Sequence, residues 1–165
     1  VLNDELKTFD VNQQLTFYND SPDTLNSILL NDWNNAYSAK NTPLARRFSD
    51  EFVRSFQIAK EEERGHTSIS SVTSTAANLL WNRPEGFPDL VEIQLANPLL
   101  PGQKITIDLT YQLKIPSNRF TKYGYGNPGE YNLRHWILTA ARYENHSFTK
   151  YSNNNIDDSA NANSD

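Results

Sequence analysis

Three histidines, His66, His135 and His146, are the side chains of this sequence best fitted to hold a metal or move a proton, and their spacing favours neither. A zinc centre needs three or four converging ligands, often with two histidines one helical turn apart. No H-E-x-x-H occurs, and His135 and His146 are too far apart in sequence to share a turn. Surface or edge-strand positions are expected for all three. Cysteine is absent, which removes thiolate chemistry, thiolate ligands and disulfides together. There is no G-x-S-x-G elbow. The acidic pairs Asp50-Glu51 and Asp157-Asp158 fall in a predicted helix and a polar tail, where adjacent carboxylates face water. The stretch GYGNPG at 124–129 spells G-x-G-x-x-G, but a dinucleotide loop must lead from a buried strand into a helix. Pro128 sits inside it, and Tyr131, Trp136 and Ile137 follow in strand-like order, so a tight β-turn is expected. No catalytic residue and no metal ligand is assigned.

The elements that would position any site are mostly strands. From Ile105 to Ile115 every odd position is apolar and every even one polar, the period of a strand with one face on a core and the other in water. Pro101-Gly102 turns the chain into it and Pro116 ends it. Leu15 and Phe17 alternate, Asp20-Ser21-Pro22-Asp23 turns, and Leu25 to Leu30 resumes. TSISSV, NLLWN and DLVEIQL read as further strands, with a turn at Pro84–Pro88, and YNLRHWILTAARYE closes the ordered part. One helical insertion is predicted over about 43–62: Thr42 caps it, Pro43 suits its first position, and Leu44, Phe48, Phe52 and Phe56 recur on one face. Ser49-Asp50 offers a second start inside that span. The charged run Lys60 to Arg64, read as a solvated last turn, and Gly65 end it. Apart from Tyr151 and Ile156, residues 151–165 are Asn, Ser, Asp and Ala with almost nothing to bury, so a tail or linker is expected.

The 165 residues fit one domain with a real core. A net charge of −5 argues against a nucleic-acid surface, and no apolar run approaches the ~20 residues needed to span a bilayer. Only two Asn-x-Ser/Thr sites, at Asn19 and Asn145, arise from 20 asparagines, so glycosylation is not indicated. Methionine is absent even at position 1. A chain starting at Val1 is therefore expected to be processed or cut from a longer gene, with Val1-Leu2 as the stump of a strand. Compartment and oligomeric state are not legible. The fold class expected is mainly β: a sandwich or saddle-shaped antiparallel domain over 1–150 with one helical insertion.

The order of three segments carries a resemblance: FYNDSPDTLNSILLNDWNNAYS, then PLLPGQKITIDLTYQLKIP, then RFTKYGYG followed by YNLRHWILTAARYE. It resembles the amino-terminal β domain of zinc-dependent aminopeptidases of the aminopeptidase N family. Those proteins have an N-x-S-x-x-x-L step, here Asn19, Ser21 and Leu25, and a p-L-x-x-G strand entry, here Leu99 and Gly102 leading to Ile105–Tyr111. A later W-Y/F-P segment is matched by His135-Trp136-Ile137, without the proline. The insertion NNAYSAKNTPLARRFSDEF is similar to that of bacterial members. The likeness covers most of residues 1–152. It implies a non-catalytic domain whose partner is a downstream catalytic domain of the same polypeptide, carrying zinc on H-E-x-x-H and acting on peptides. G-x-M-E-N and the zinc motif are both missing here, so no catalytic or metal residue transfers and no cofactor is expected in this chain. A candidate docking surface is formed by Tyr131, Trp136, Tyr143 and Phe148. The alternative is a free-standing β-sandwich module binding a ligand or carbohydrate on the Tyr123–Trp136 aromatics.

Overall fold

The computed structural model describes residues 1–150. Along the chain run β1 (Leu2–Asn3), β2 (Thr8–Tyr18), β3 (Leu25–Asn31), α1 (Pro43–Asp50), α2 (Arg54–Gln57), β4 (His66–Ser74), β5 (Ala77–Asn78) and β6 (Trp81–Asn82). They are followed by β7 (Leu90–Leu99), β8 (Lys104–Lys114), β9 (Gly124–Tyr125), β10 (Tyr131–Asn132), β11 (Thr139–Ala140), β12 (Tyr143–Glu144) and β13 (Ser147–Phe148). One sheet has the order β1-β2-β8-β4-β5 and a second β11-β3-β7-β6, while β9/β10 and β12/β13 are separate hairpins. All these pairings are antiparallel. The expected mainly β, antiparallel class is what the chain adopts.

β8 organises the first sheet. Its alternation places Ile107, Leu109, Tyr111 and Leu113 in the interior and Asp108, Thr110 and Gln112 in water. β2 pairs with it without interruption from Thr8↔Lys114 to Tyr18↔Lys104, and β4 pairs on the other side with a bulge between Ile69 and Ser71. The second sheet turns Ile28, Leu30, Val91 and Ile93 onto the same apolar cluster as Ile107, Leu109 and Leu113. One sandwich-like core therefore joins the two sheets, and each such side chain, fully buried, contributes about 1.5–3 kcal/mol.

The helical insertion departs from a single amphipathic face. Thr42 caps α1 as expected, its Oγ1 accepting from the Ala45 amide at 3.1 Å, and Pro43 takes the first helical position. Leu44, Phe48 and Phe56 pack with Tyr37 and Phe120 in a second core. Phe52 does not join them. The chain breaks after Asp50, Phe52 takes a left-handed φ of 60°, and its ring is 83 % exposed. An i, i+4 spacing satisfies a helix only if the helix is continuous, and here α2 starts afresh at Arg54.

GYGNPG forms the expected turn. β9 and β10 pair through Tyr125↔Tyr131, Glu130 N–H donates to Asn127 O at 2.9 Å, and Gly129 at φ 78° supplies the left-handed third position after Pro128. The segment beyond it is less regular than a strand: β10 and β11 have two residues each, separated by bends around His135 at φ 52°. The predicted polar tail 151–165 lies outside the described residues.

Candidate functional site

The four aromatics singled out as a docking surface are brought together in two pairs. Tyr131 meets the Phe9 ring edge-on at 5.7 Å and Trp136 lies 5.9 Å from the same ring. Tyr143 and Phe148 stack edge-to-face at 4.9 Å, with Phe148 6.1 Å from Phe17. All four are half-buried and packed against the main core. Phe9 and Phe17 stand at opposite ends of β2, about 27 Å apart at the rise of a strand, so the pairs bracket β2 rather than form one patch. Each pair is tied down by a carboxylate. Tyr131 Oη donates to Asp4 Oδ1 at 2.6 Å and Tyr143 Oη to Asp23 Oδ2 at 2.9 Å. The two phenols, with Lys7 and His146 beside them, hold these carboxyls below their ordinary range.

Between the two pairs the edges of the sheets meet without a shared ladder. Beyond the two residues paired with β1, β2 borders one sheet and β11 the other, and a groove of about 370 Å³ runs between Gln13–Tyr18, with Asp20, and Ile137–Ala140. One side chain spans its floor: Gln13 Nε2 donates to Leu138 O at 2.7 Å, and its Oε1 accepts from Tyr111 Oη at 2.6 Å. Burial pushes that phenol up to about 12. It remains a neutral donor, and the arrangement ties the two sides of the seam together.

The histidines lie on separate elements, each with its own surroundings. His66 opens β4, and burial, followed by the Lys114 and Arg64 cations, holds its imidazole below the ordinary value. His135 lies beside Arg134, whose Nε is 3.1 Å from its Nε2, and burial followed by that cation lowers it too. His146 Nδ1 lies 2.8 Å from Asp23 Oδ2. Among the described residues no group of three or more His, Cys, Asp or Glu could hold a metal ion.

Of the aromatics proposed as a ligand or carbohydrate platform, Tyr123 is tied into the interior and Tyr125 and Tyr131 lie beneath a cation. Tyr123 Oη donates to Asn34 Oδ1 at 2.8 Å, its ring lies 5.7 Å from Tyr37, and burial raises its phenol well above normal. Lys7 Nζ covers the Tyr125 and Tyr131 rings at 5.5 and 5.7 Å.

Sequence reasoning missed a buried polar knot at 32–35. Asp32 is 2 % exposed. Its Oδ2 is 2.6 Å from Arg83 Nη2, and its Oδ1 accepts from Thr67 Oγ1 at 2.7 Å. Asn35 takes the Thr67 amide at 3.0 Å and reaches Pro88 O at 2.7 Å, while Asn34 donates to His66 O at 2.8 Å. The available signal was the density of amides in NDWNNAY between Leu30 and Tyr37: polar residues so hemmed by large apolar ones are buried with partners or not buried at all.

The motif residues of Asn19, Ser21 and Leu25 are also structural. Asn19 Nδ2 donates to Leu99 O at 3.0 Å and Asp23 O at 2.8 Å, and its Oδ1 accepts from Ser21 Oγ at 2.6 Å. The Asn19 carbonyl accepts from the Gly102 amide at 2.8 Å, and Leu25 is buried opposite Leu99. What fold and site together define is an antiparallel, sandwich-like β domain with a bracketed seam. Comparison with family models, with curated proteins and with solved structures gives no match.

Proposed function

We propose that this chain is the non-catalytic amino-terminal β domain of a zinc-dependent aminopeptidase of the aminopeptidase N type, supporting a catalytic domain and shaping substrate access to it. The observation that carries the reading is the contact made by Asn19. The two stretches on which the resemblance rests lie about eighty residues apart, and Asn19 joins them directly, to Leu99 O and the Gly102 amide. A chance likeness in two places gives no reason for them to form one lock. The scattered histidines do not fit zinc, each facing different neighbours. The metal is therefore assigned to the catalytic domain and no reaction step is assigned to this chain. Docking would use the flanks of the seam, where the Tyr131/Trp136 and Tyr143/Phe148 pairs keep part of their rings in water.

A free-standing binding module is the weaker reading, because the Tyr123 ring packs against Tyr37 and Lys7 covers the Tyr125 ring. The test is to express the gene segment following Asp165 separately and titrate it with this domain by calorimetry. Association weakened by Trp136→Ala in a folded variant, together with zinc and aminopeptidase activity in the downstream segment, supports the proposal. A downstream segment without H-E-x-x-H, or no binding at high micromolar concentration, overturns it.

A further inference from the structure

The water-facing side of the first sheet is set apart by what its middle lacks. Lys104 and Lys114 stand at the two ends of β8, the first over the Tyr18 ring and the second donating to Leu6 O. Between them no outward residue of β2, β8 or β4 is cationic or apolar. The face is built from amides, hydroxyls and the carboxylates of Asp10 and Asp108. A cleft of about 380 Å³ opens in it, lined by the side chains of Asp10, Asn12, Ser68, Ser70, Thr110 and Gln112. It spans three strands, with Gln112 between Asp10 and Ser68 and with Asn12 opposite Thr110. β4 bulges at its margin, between Ile69 and Ser71, and Ser70 turns outward there, its Oγ donating to Thr110 O at 2.9 Å. Bulges re-aim side chains and recur beside functional sites. A strand added in plane at either edge would widen this face and leave the cleft open.

We propose that this cleft binds a neutral mono- or disaccharide unit. Its polar atoms are set in place by bonds across the strands. Gln112 Nε2 donates to Asp10 Oδ1 at 2.7 Å, and Thr110 Oγ1 to Asn12 Oδ1 at 3.1 Å. Asp10 Oδ2 and Gln112 Oε1 are left as acceptors and Asn12 Nδ2 as a donor, none with a partner among the described residues. Each hydroxyl of a sugar both donates and accepts, so neighbouring hydroxyls match acceptors and a donor set side by side. An anion would use only the Asn12 amide and would meet the Asp10 carboxylate. A lone cation would use Asp10 and leave that amide unmatched. The apolar centre of a protein interface finds no anchor here. Amides held by cross-strand bonds lower the cost of ordering on binding, and the volume falls within the range of small-ligand clefts, about 300–1,000 Å³. The site is separate from the Tyr123–Trp136 aromatics: Tyr131 and Trp136 pack on the inward-pointing Phe9, whereas the cleft faces away from the core. Sugar binding here depends on this face alone, whether or not the domain belongs to a peptidase.

The test is a titration of the whole isotope-labelled chain, followed by amide NMR shifts, with glucose, galactose, mannose, N-acetylglucosamine, maltose, cellobiose and lactose in turn. Each is taken to about 50 mM, so that even a millimolar Kd registers. At least one sugar is expected to move the amides of Asp10, Asn12, Ser68, Ser70, Thr110 and Gln112 along a saturable curve. Thr16 and Thr106, on the same face beyond the cleft, should stay in place. Asn12→Ala and Asp10→Ala should each raise the Kd by about tenfold, and Gln14→Ala, in the next row, should leave it unchanged. Asp10 and Asn12 are exposed, so both variants are expected to fold, and the shift map of the unaltered chain decides the matter if one does not. No saturable shift with any of these sugars, shifts centred away from the cleft, or a Kd unmoved by both variants overturns the proposal. Saturation of the same amides by inorganic phosphate or calcium chloride in place of a sugar overturns it too, assigning the cleft to an ion.

Discussion

Asn19 illustrates how much one buried amide can hold. It is 1 % exposed and divides its bonds by chemistry: the nitrogen serves two carbonyls, the oxygen serves Ser21. Asn19→Ala leaves the Leu99 and Asp23 carbonyls without that donor and should cost about 2–4 kcal/mol, measured by urea denaturation. Asn19→Asp should cost more at neutral pH, because a carboxylate would face two carbonyl oxygens, and the difference should shrink in acid where the carboxyl can donate. Equal losses at both pH values would mean that the side chain is not oriented as described. Neither this lock nor the Asp32 knot was legible as structure in the sequence. Asp32 finds Arg83 across 51 residues, and local pattern carries no trace of such a partner.

At the scale of elements, legibility followed the number of faces exposed to water. β8 was readable residue by residue because one face is dry and the other wet. Ile107→Asp should therefore abolish cooperative unfolding, since a buried unpaired carboxylate costs several kcal/mol of a net ~5–15. Asp108→Ala loses only an exposed bond from Gln14 and should leave the melting temperature nearly unchanged. Comparable melting temperatures for the two would overturn the assigned phase. The insertion was readable at its cap but not at its break, because Phe52 fits the helical spacing while the backbone there turns left-handed. A bulky residue pays roughly 1–2 kcal/mol for that conformation. Phe52→Asn should therefore stabilise by about 1 kcal/mol and raise the melting temperature by a few degrees. A fall would reveal packing for a ring that is largely in water. The two-residue strands from β9 to β13 are too short for any alternation to register.

For the whole molecule, the charged groups predict a two-step response to acid. His66 and His135 have folded values below the ordinary ~6.5, so the folded chain binds fewer protons than the unfolded one in that range. Their contribution is complete above about pH 6.5 and is lost as pH falls through the folded values. Asp4, Asp23 and Glu63 are also held low, by Tyr131, Tyr143 and the Lys60 amide first, and their contributions disappear only below about pH 4. Denaturation midpoints between pH 7 and pH 5 should fall in the native chain and stay flat in His66→Gln/His135→Asn, with the acid-side loss retained in both. An unchanged slope in the double variant would assign the first step elsewhere.

The pairing of β2 with β8 has a consequence in time. Thr8 meets Lys114 and Tyr18 meets Lys104, so β2 leaves the ribosome long before its only full-length neighbour has been translated. At about 5–20 residues per second the delay is on the order of 5–20 s. Throughout it a long strand whose single charge is Asp10 waits without β8, the condition under which a nascent chain is most open to wrong partners. Synthesis rate between Leu25 and Lys104, rather than the strength of the finished core, should then govern how much of this protein reaches its folded state in a cell.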